Sequence, residues 1–177
     1  MDIATLVKLT SKAWSLKILA LLHSGVPGRQ APLIAAAKAS RSAFAASLLH
    51  LIDLGMLEKN PGHGHPLRPE FRLTDKGKVF AGLAYRILEA APGDAASSVL
   101  KRSWTVPVLA VTGAPRRFTA IKTGLGVTDR ALSKTLCVLE DQAWLRRDID
   151  VAQRPPLPTY QAVNAGLKIS EAIRLSF

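Results

Sequence analysis

The chain has a single cysteine, Cys137, among its 177 residues. That excludes an internal disulfide and any metal site built from cysteine alone. A reducing, cytoplasmic location is expected. Aromatic residues are few, at 6%. No uncharged run reaches the roughly 20 residues that a membrane-spanning helix needs. The start, Met1-Asp2-Ile3-Ala4, has no basic stretch leading into an apolar run, so no signal peptide and no membrane are expected. Acidic residues are also scarce: 13 Asp and Glu face 24 Lys and Arg, a net charge of +11. Residues 1–90 hold 12 basic and 6 acidic residues, and residues 91–177 hold 12 and 7. The excess is therefore shared between the halves. Two basic surfaces fit this better than one disordered basic arm, and an anionic partner is the first expectation. No phosphate-cradling Gly-Lys-Ser/Thr loop, nucleophile elbow or His-Glu pair on a helix occurs. Neither an enzyme nor a cofactor is expected.

What is present is a repeat. Trp14-Ser15-Leu16-Lys17-Ile18-Leu19-Ala20 returns as Trp104-Thr105-Val106-Pro107-Val108-Leu109-Ala110. Leu51–Lys59 returns as Leu139–Arg147, and Phe71–Gly77 returns as Tyr160–Gly166. The starting positions (14 and 104, 51 and 139, 71 and 160) give offsets of 90, 88 and 89. A unit of this length is a small domain rather than a solenoid repeat. The expected organisation is domain 1 over 1–91, a linker over 92–97 with Pro92-Gly93, and domain 2 over 98–177.

Periodicity orders the elements. Trp14, Ile18, Leu21 and Leu22 share one face of a helix over 12–24, which Gly25-Val26-Pro27-Gly28 stops. A short helix follows near Pro32 and ends about Ala39. Ser40 caps a third helix with Phe44, Leu48 and Leu51 inward and Gly55 at its end. Strands 56–59 and 71–73 flank a loop rich in Pro, Gly and His, and a helix covers about 76–90. The second half repeats this. Helices cover 101–112 and 117–123, and Thr128 caps a third helix with Leu132, Leu136 and Leu139 inward. Strands 144–148 and 159–163 follow, and a last helix begins near Gly166. The fold class is mainly α with small β-wings: two tandem winged helix-turn-helix domains.

The spaced set Ser103-Trp104, Leu109, Gly113-Ala114-Pro115-Arg116-Arg117-Phe118, Val127–Leu132, Leu136, Leu139-Glu140, Leu145, Pro156 and Tyr160 resembles the HxlR-type winged-helix regulators of bacteria. The first half is more generically similar to MarR-like winged helices, through Trp14, Leu57, Phe71 and Leu73-Thr74-Asp75-Lys76-Gly77. In the second half that last motif reads Ala162-Val163-Asn164-Ala165-Gly166, and Ala143 stands where the first half has Gly55. The resemblance implies a cytoplasmic, nucleoid-associated transcriptional regulator that binds double-stranded DNA.

In such a fold the first turn of the third helix meets base edges in the major groove. The expected contacts are Ser40, Arg41, Ser42 and Ala45 in the first half, with Ala46 beside them. In the second half they are Thr128, Asp129, Arg130, Ser133 and Lys134. Wing residues His63, His65, Arg68 and Arg154 would meet phosphate or the minor groove. Arg116 and Arg117, read as starting the second short helix, would anchor phosphate, with an ion pair from Arg117 to Glu140 or Asp141 as the alternative. His63-Gly64-His65 has no third ligand nearby, so no metal is expected. Cys137 reads as a packing residue. The helix over 78–90 is apolar on nearly every side, which suggests cover by the other domain or a homodimer through it. A tandem winged-helix protein adaptor and a plasmid- or phage-type replication initiator are the rival functions.

Overall fold

In the computed structural model, residues 2–60, 69–150 and 156–174 are described. The chain is mainly helical with small antiparallel sheets, in an order compatible with winged helices. Two compact units separate, residues 12–89 and residues 1–11 with 90–177.

The first unit runs α2 (Ser15–His23), α3 (Gln30–Ala37), α4 (Arg41–Asp53), β1 (Leu57–Asn60), β2 (Glu70–Leu73) and α5 (Asp75–Ala90), whose last residue lies past the unit boundary. Strands β1 and β2 pair antiparallel from Leu57↔Leu73 to Asn60↔Glu70. Phe44, Leu48 and Leu51 are buried, as their spacing on α4 requires, and Ile18, Leu19, Leu33, Met56 and Phe71 join them. Leu21 and Leu22, expected inward, are only half-buried; Leu16 and Leu19 supply that face of α2 instead.

The second unit contains α1 (Ile3–Thr10), α6 (Asp94–Leu100), α7 (Thr105–Val111), β3 (Arg116–Arg117), α8 (Phe118–Leu125), α9 (Asp129–Asp141), β4 (Leu145–Asp150), β5 (Leu157–Ala162) and α10 (Asn164–Arg174). Its sheet has the order β3-β5-β4, so the short strand before α8 pairs with the returning strand β5. The first unit keeps a trace of this pairing as a single bridge, Arg29↔Glu70. Leu132, Leu136, Leu139, Val108 and Leu109 are buried together with Ile121, Trp144, Leu145 and Tyr160.

Two helices were not expected. Helix α1 begins where the Asp2 carboxylate accepts the Thr5 N–H at 2.6 Å, an N-cap that holds this carboxyl below its ordinary range. Its Leu6 and Leu9 are buried, it packs on α7 and α8, and Thr10 Oγ1 donates to the Ser103 carbonyl at 2.8 Å. Residues 1–11 therefore lie with the second half, not with 12–89. Helix α6 occupies most of the stretch read as a linker. Gly93, at φ +101, turns the chain into it, and the alanines that follow favour helix. The breaker marks an entry rather than a loop.

Both third helices end in the same way. Gly55 N–H donates to Ile52 O at 2.8 Å and Met56 N–H to Leu51 O at 2.9 Å; Ala143 and Trp144 repeat this with Glu140 and Leu139, both at 2.9 Å. These are paired Schellman bonds, which need a left-handed residue. Gly55 has φ +66, and Ala143 adopts φ +53 although it carries a Cβ. Gly77 and Gly166 are kept in both halves for another reason. A Cβ on either would sit far inside van der Waals contact with the carbonyl oxygen of Met56 or Trp144. The helix after the wing can approach the strand entry only at a glycine.

Candidate nucleic-acid interface

Each unit presents two helices joined by a tight turn. In the second, α8 ends at Gly126 (φ +64), Val127 is buried, and Thr128 caps α9 by accepting the Ala131 N–H at 3.3 Å. In the first, Lys38 takes the left-handed position at φ +53. Ser40 stands at the N-cap of α4 in extended backbone, but its hydroxyl makes no capping bond. Ser40 holds the expected position without the expected bond.

Once the inward stripes pack, the remaining side chains of the first turns are fixed. Arg41, Ser42 and Ala46 are exposed on α4; Ala45, expected outward, is half-buried. Asp129, Arg130, Ser133 and Lys134 are exposed on α9. Among the described residues no hydrogen bond or ion pair engages the side chains of Arg41, Arg130 or Lys134. Asp129 differs: its carboxylate takes Lys122 Nζ at 2.8 Å, tying the end of α8 to the start of α9. The pair removes one cation from the free surface and shields one anion.

Arg116 and Arg117 form β3 rather than a helix start. They pair with Tyr160 and Thr159, and α8 begins at Phe118. The edge of β5 captures this extended stretch, a non-local pairing that helical periodicity does not reveal. Arg116 is exposed and Arg117 half-buried. No ion pair joins Arg117 to Glu140 or Asp141 among the described residues. His63, His65, Arg68 and Arg154 lie outside the described residues.

The β4–β5 hairpin of the second unit adds residues that local pattern did not single out. Strand register puts Leu145, Arg147 and Ile149 on one face, opposite Ala162, Tyr160 and Pro158. Leu145 and Ala162 are buried, whereas Ile149 is 65% exposed. The apolar face of the sheet thus continues outward past the body of the unit, with Arg147 between its buried and exposed parts. Alternation along 145–149 was the available signal. On the other face Arg146 Nε donates to Asp148 Oδ2 at 2.7 Å. Cys137 is exposed on α9 rather than packed, with Sγ 3.8 Å from Asp141 Oδ2. Leu49 is 62% exposed on α4, and Val79 64% exposed on α5.

Comparison of the chain with protein-family models, with curated proteins and with solved structures finds no match. No described helix is long and apolar enough to cross a membrane.

Proposed function

We propose that the chain is a tandem winged-helix protein that binds double-stranded DNA and regulates transcription, as its resemblance to HxlR-type and MarR-like regulators implies. One observation supports this above the rest: in both units the first two turns of the third helix are exposed and carry a cation whose side chain has no partner among the described residues, Arg41 in one and Arg130 with Lys134 in the other. A guanidinium there can take guanine O6 and N7 bidentately, and Lys134 can take phosphate. Arg116, Arg117 and Arg147 add cations around the second head. The net charge of +11 supplies the long-range attraction. Homodimerisation through the helix over 78–90 belongs to the same reading, with exposed Val79 as its contact.

Fluorescence anisotropy with random and selected duplexes tests the proposal. Affinity should fall linearly in log–log with salt, at a slope of about −0.9 per phosphate neutralised. Salt-insensitive association, or no association with any duplex at low salt, rejects it. The protein-adaptor reading draws on one specific observation, the exposed Leu49 in mid-helix on α4, where a groove reader would carry a polar residue. Leu49→Lys separates the two: it strengthens duplex binding if α4 enters a groove and abolishes association if α4 docks on protein.

A further inference from the structure

The two repeats differ sharply at one place within each unit. In the first, His23 at the end of α2 stacks on Tyr85 of α5, with ring centroids 5.3 Å apart. With the offset of 90 for this helix and 89 for the last one, their counterparts are Gly113 and Arg174. Both rings are gone from the second unit. In their stead lies a cavity of about 410 Å³ between the end of α7, β3, α8 and α10. That volume is within the ~300–1,000 Å³ of small-molecule sites.

Its walls have a definite chemistry. Ala110, Val111, Ala120 and Ile121 give short aliphatic surface, and Gly113 and Gly124 leave the space open. Arg116 and Arg174 bring two guanidinium groups, and no acidic residue is among the described lining residues. Among the described residues neither guanidinium has a hydrogen bond or ion pair. Ser170 also lines the wall. It is 1% exposed, its Oγ lies 2.6 Å from where a Cβ on Gly113 would stand, and that hydroxyl has no hydrogen-bond partner among the described residues. A buried donor left unmade costs about 1–3 kcal/mol, so the wall holds an unmet demand for an acceptor. Two cations and one hydroxyl without partners among the described residues, on an aliphatic lining, call for a compact anion with an apolar body.

We propose that this cavity binds a small organic carboxylate with an aliphatic body, its carboxylate held by Arg116 and Arg174 and satisfying Ser170. The site is built on residues 110–174 alone and does not depend on the DNA-binding reading.

The test titrates the full chain with cyclohexanecarboxylate, followed by amide ¹⁵N–¹H shifts. Cyclohexanecarboxamide and inorganic phosphate serve as the two comparison arms. The acid should saturate below about 10 mM, as expected for a ligand of this size. The largest shifts should fall at Gly113, Ala114 and Gly124. The amide should bind at least about tenfold more weakly, the loss expected for charge-assisted hydrogen bonds. Arg174→Tyr, which restores the residue of the first unit, should weaken the acid by a similar factor. Gly124→Leu should block it; Gly124 lines the cavity and a Cβ there meets nothing within 4 Å, so the added side chain starts in open space. Equal binding of acid and amide overturns the proposal. So does phosphate binding as tightly as the acid, which would mark a bare phosphate site. Absence of shifts at Gly113 and Gly124 up to about 50 mM overturns it as well, since that limit lies beyond even millimolar fragment affinity.

Discussion

Replacing Ala143 by glycine should stabilise the second unit, although it removes a methyl group and loosens the unfolded chain. Ala143 sits at φ +53, in the left-handed position that closes α9. For a residue with a Cβ this conformation costs roughly 1–2 kcal/mol. Glycine removes that cost but adds unfolded-state entropy worth about 0.4–1 kcal/mol. Mid-range values of about 1.5 and about 0.7 kcal/mol leave a net gain of about 0.5–1 kcal/mol. The first unit supplies the control in reverse. Gly55 holds the same position at φ +66, and a Cβ there meets nothing within 4 Å. Gly55→Ala is therefore free of steric clash and should cost the same ~0.5–1 kcal/mol through backbone strain alone. Surrounding bonds are alike: Thr74 Oγ1 donates to Gly55 O at 2.7 Å, and Asn164 Nδ2 to Ala143 O at 2.9 Å. Urea unfolding read by tryptophan fluorescence reports the change, because buried Trp144 adjoins the mutated residue. The gain corresponds to a rise of about 2–8 °C in Tm for a domain of this size. A lower midpoint for Ala143→Gly, or a higher one for Gly55→Ala, would refute the assignment of a strained helix end.

Gly77→Ala and Gly166→Ala should each destabilise their unit by about 1–3 kcal/mol or more, because the added Cβ meets backbone that cannot swing aside; a loss under ~0.5 kcal/mol in denaturant titration contradicts the close approach. Arg130→Ala should cost about 1–3 kcal/mol on a selected duplex and relax one base position, while Lys134→Ala should weaken all duplexes alike and lower the salt slope by about 1. Anisotropy that shows Arg130→Ala weakening random and selected duplex equally removes its base-reading role. Helix α1 should loosen in acid: the Asp2 carboxyl is depressed by the Thr5 N–H, so its capping contribution is present above the ordinary aspartate value of 3.8 and is lost as pH falls through the lower folded value. Amide exchange at Thr5 that stays unchanged on acidification, with the core still folded, would contradict this.

Much of the architecture could be read from local pattern, since each third helix has a stripe that must turn inward. Phe44, Leu48 and Leu51 and their counterparts Leu132, Leu136 and Leu139 are all buried. What escaped was governed by partners distant in sequence. The pair Arg116 and Arg117 is too short to have a period, and only the free edge of β5 makes it a strand. Helix α1 shows a short apolar face, but nothing local in it tells which half will receive Leu6 and Leu9. The cavity was invisible for a similar reason. It arises where Gly113 and Arg174, 61 positions apart in number, both depart from the first repeat.

The divergence of the two halves follows a physical rule. Positions where backbone meets backbone are retained, as Gly77 and Gly166 are. Positions that demand only a dihedral angle can drift at a cost, as Gly55 and Ala143 have. Outward positions drift freely: Ala46 and Leu49 on α4 stand against Lys134 and Cys137 on α9, under the offset of 88. An outward side chain adds little to folding, so folding does not choose between these residues. Cations on α9 and apolar groups on α4 therefore point to two unequal heads, the second better suited to a charged, hydrogen-bonding groove and the first to a contact with an apolar component. If both heads meet one duplex, α9 supplies most of the base discrimination and α4 contributes mainly through Arg41 and shape.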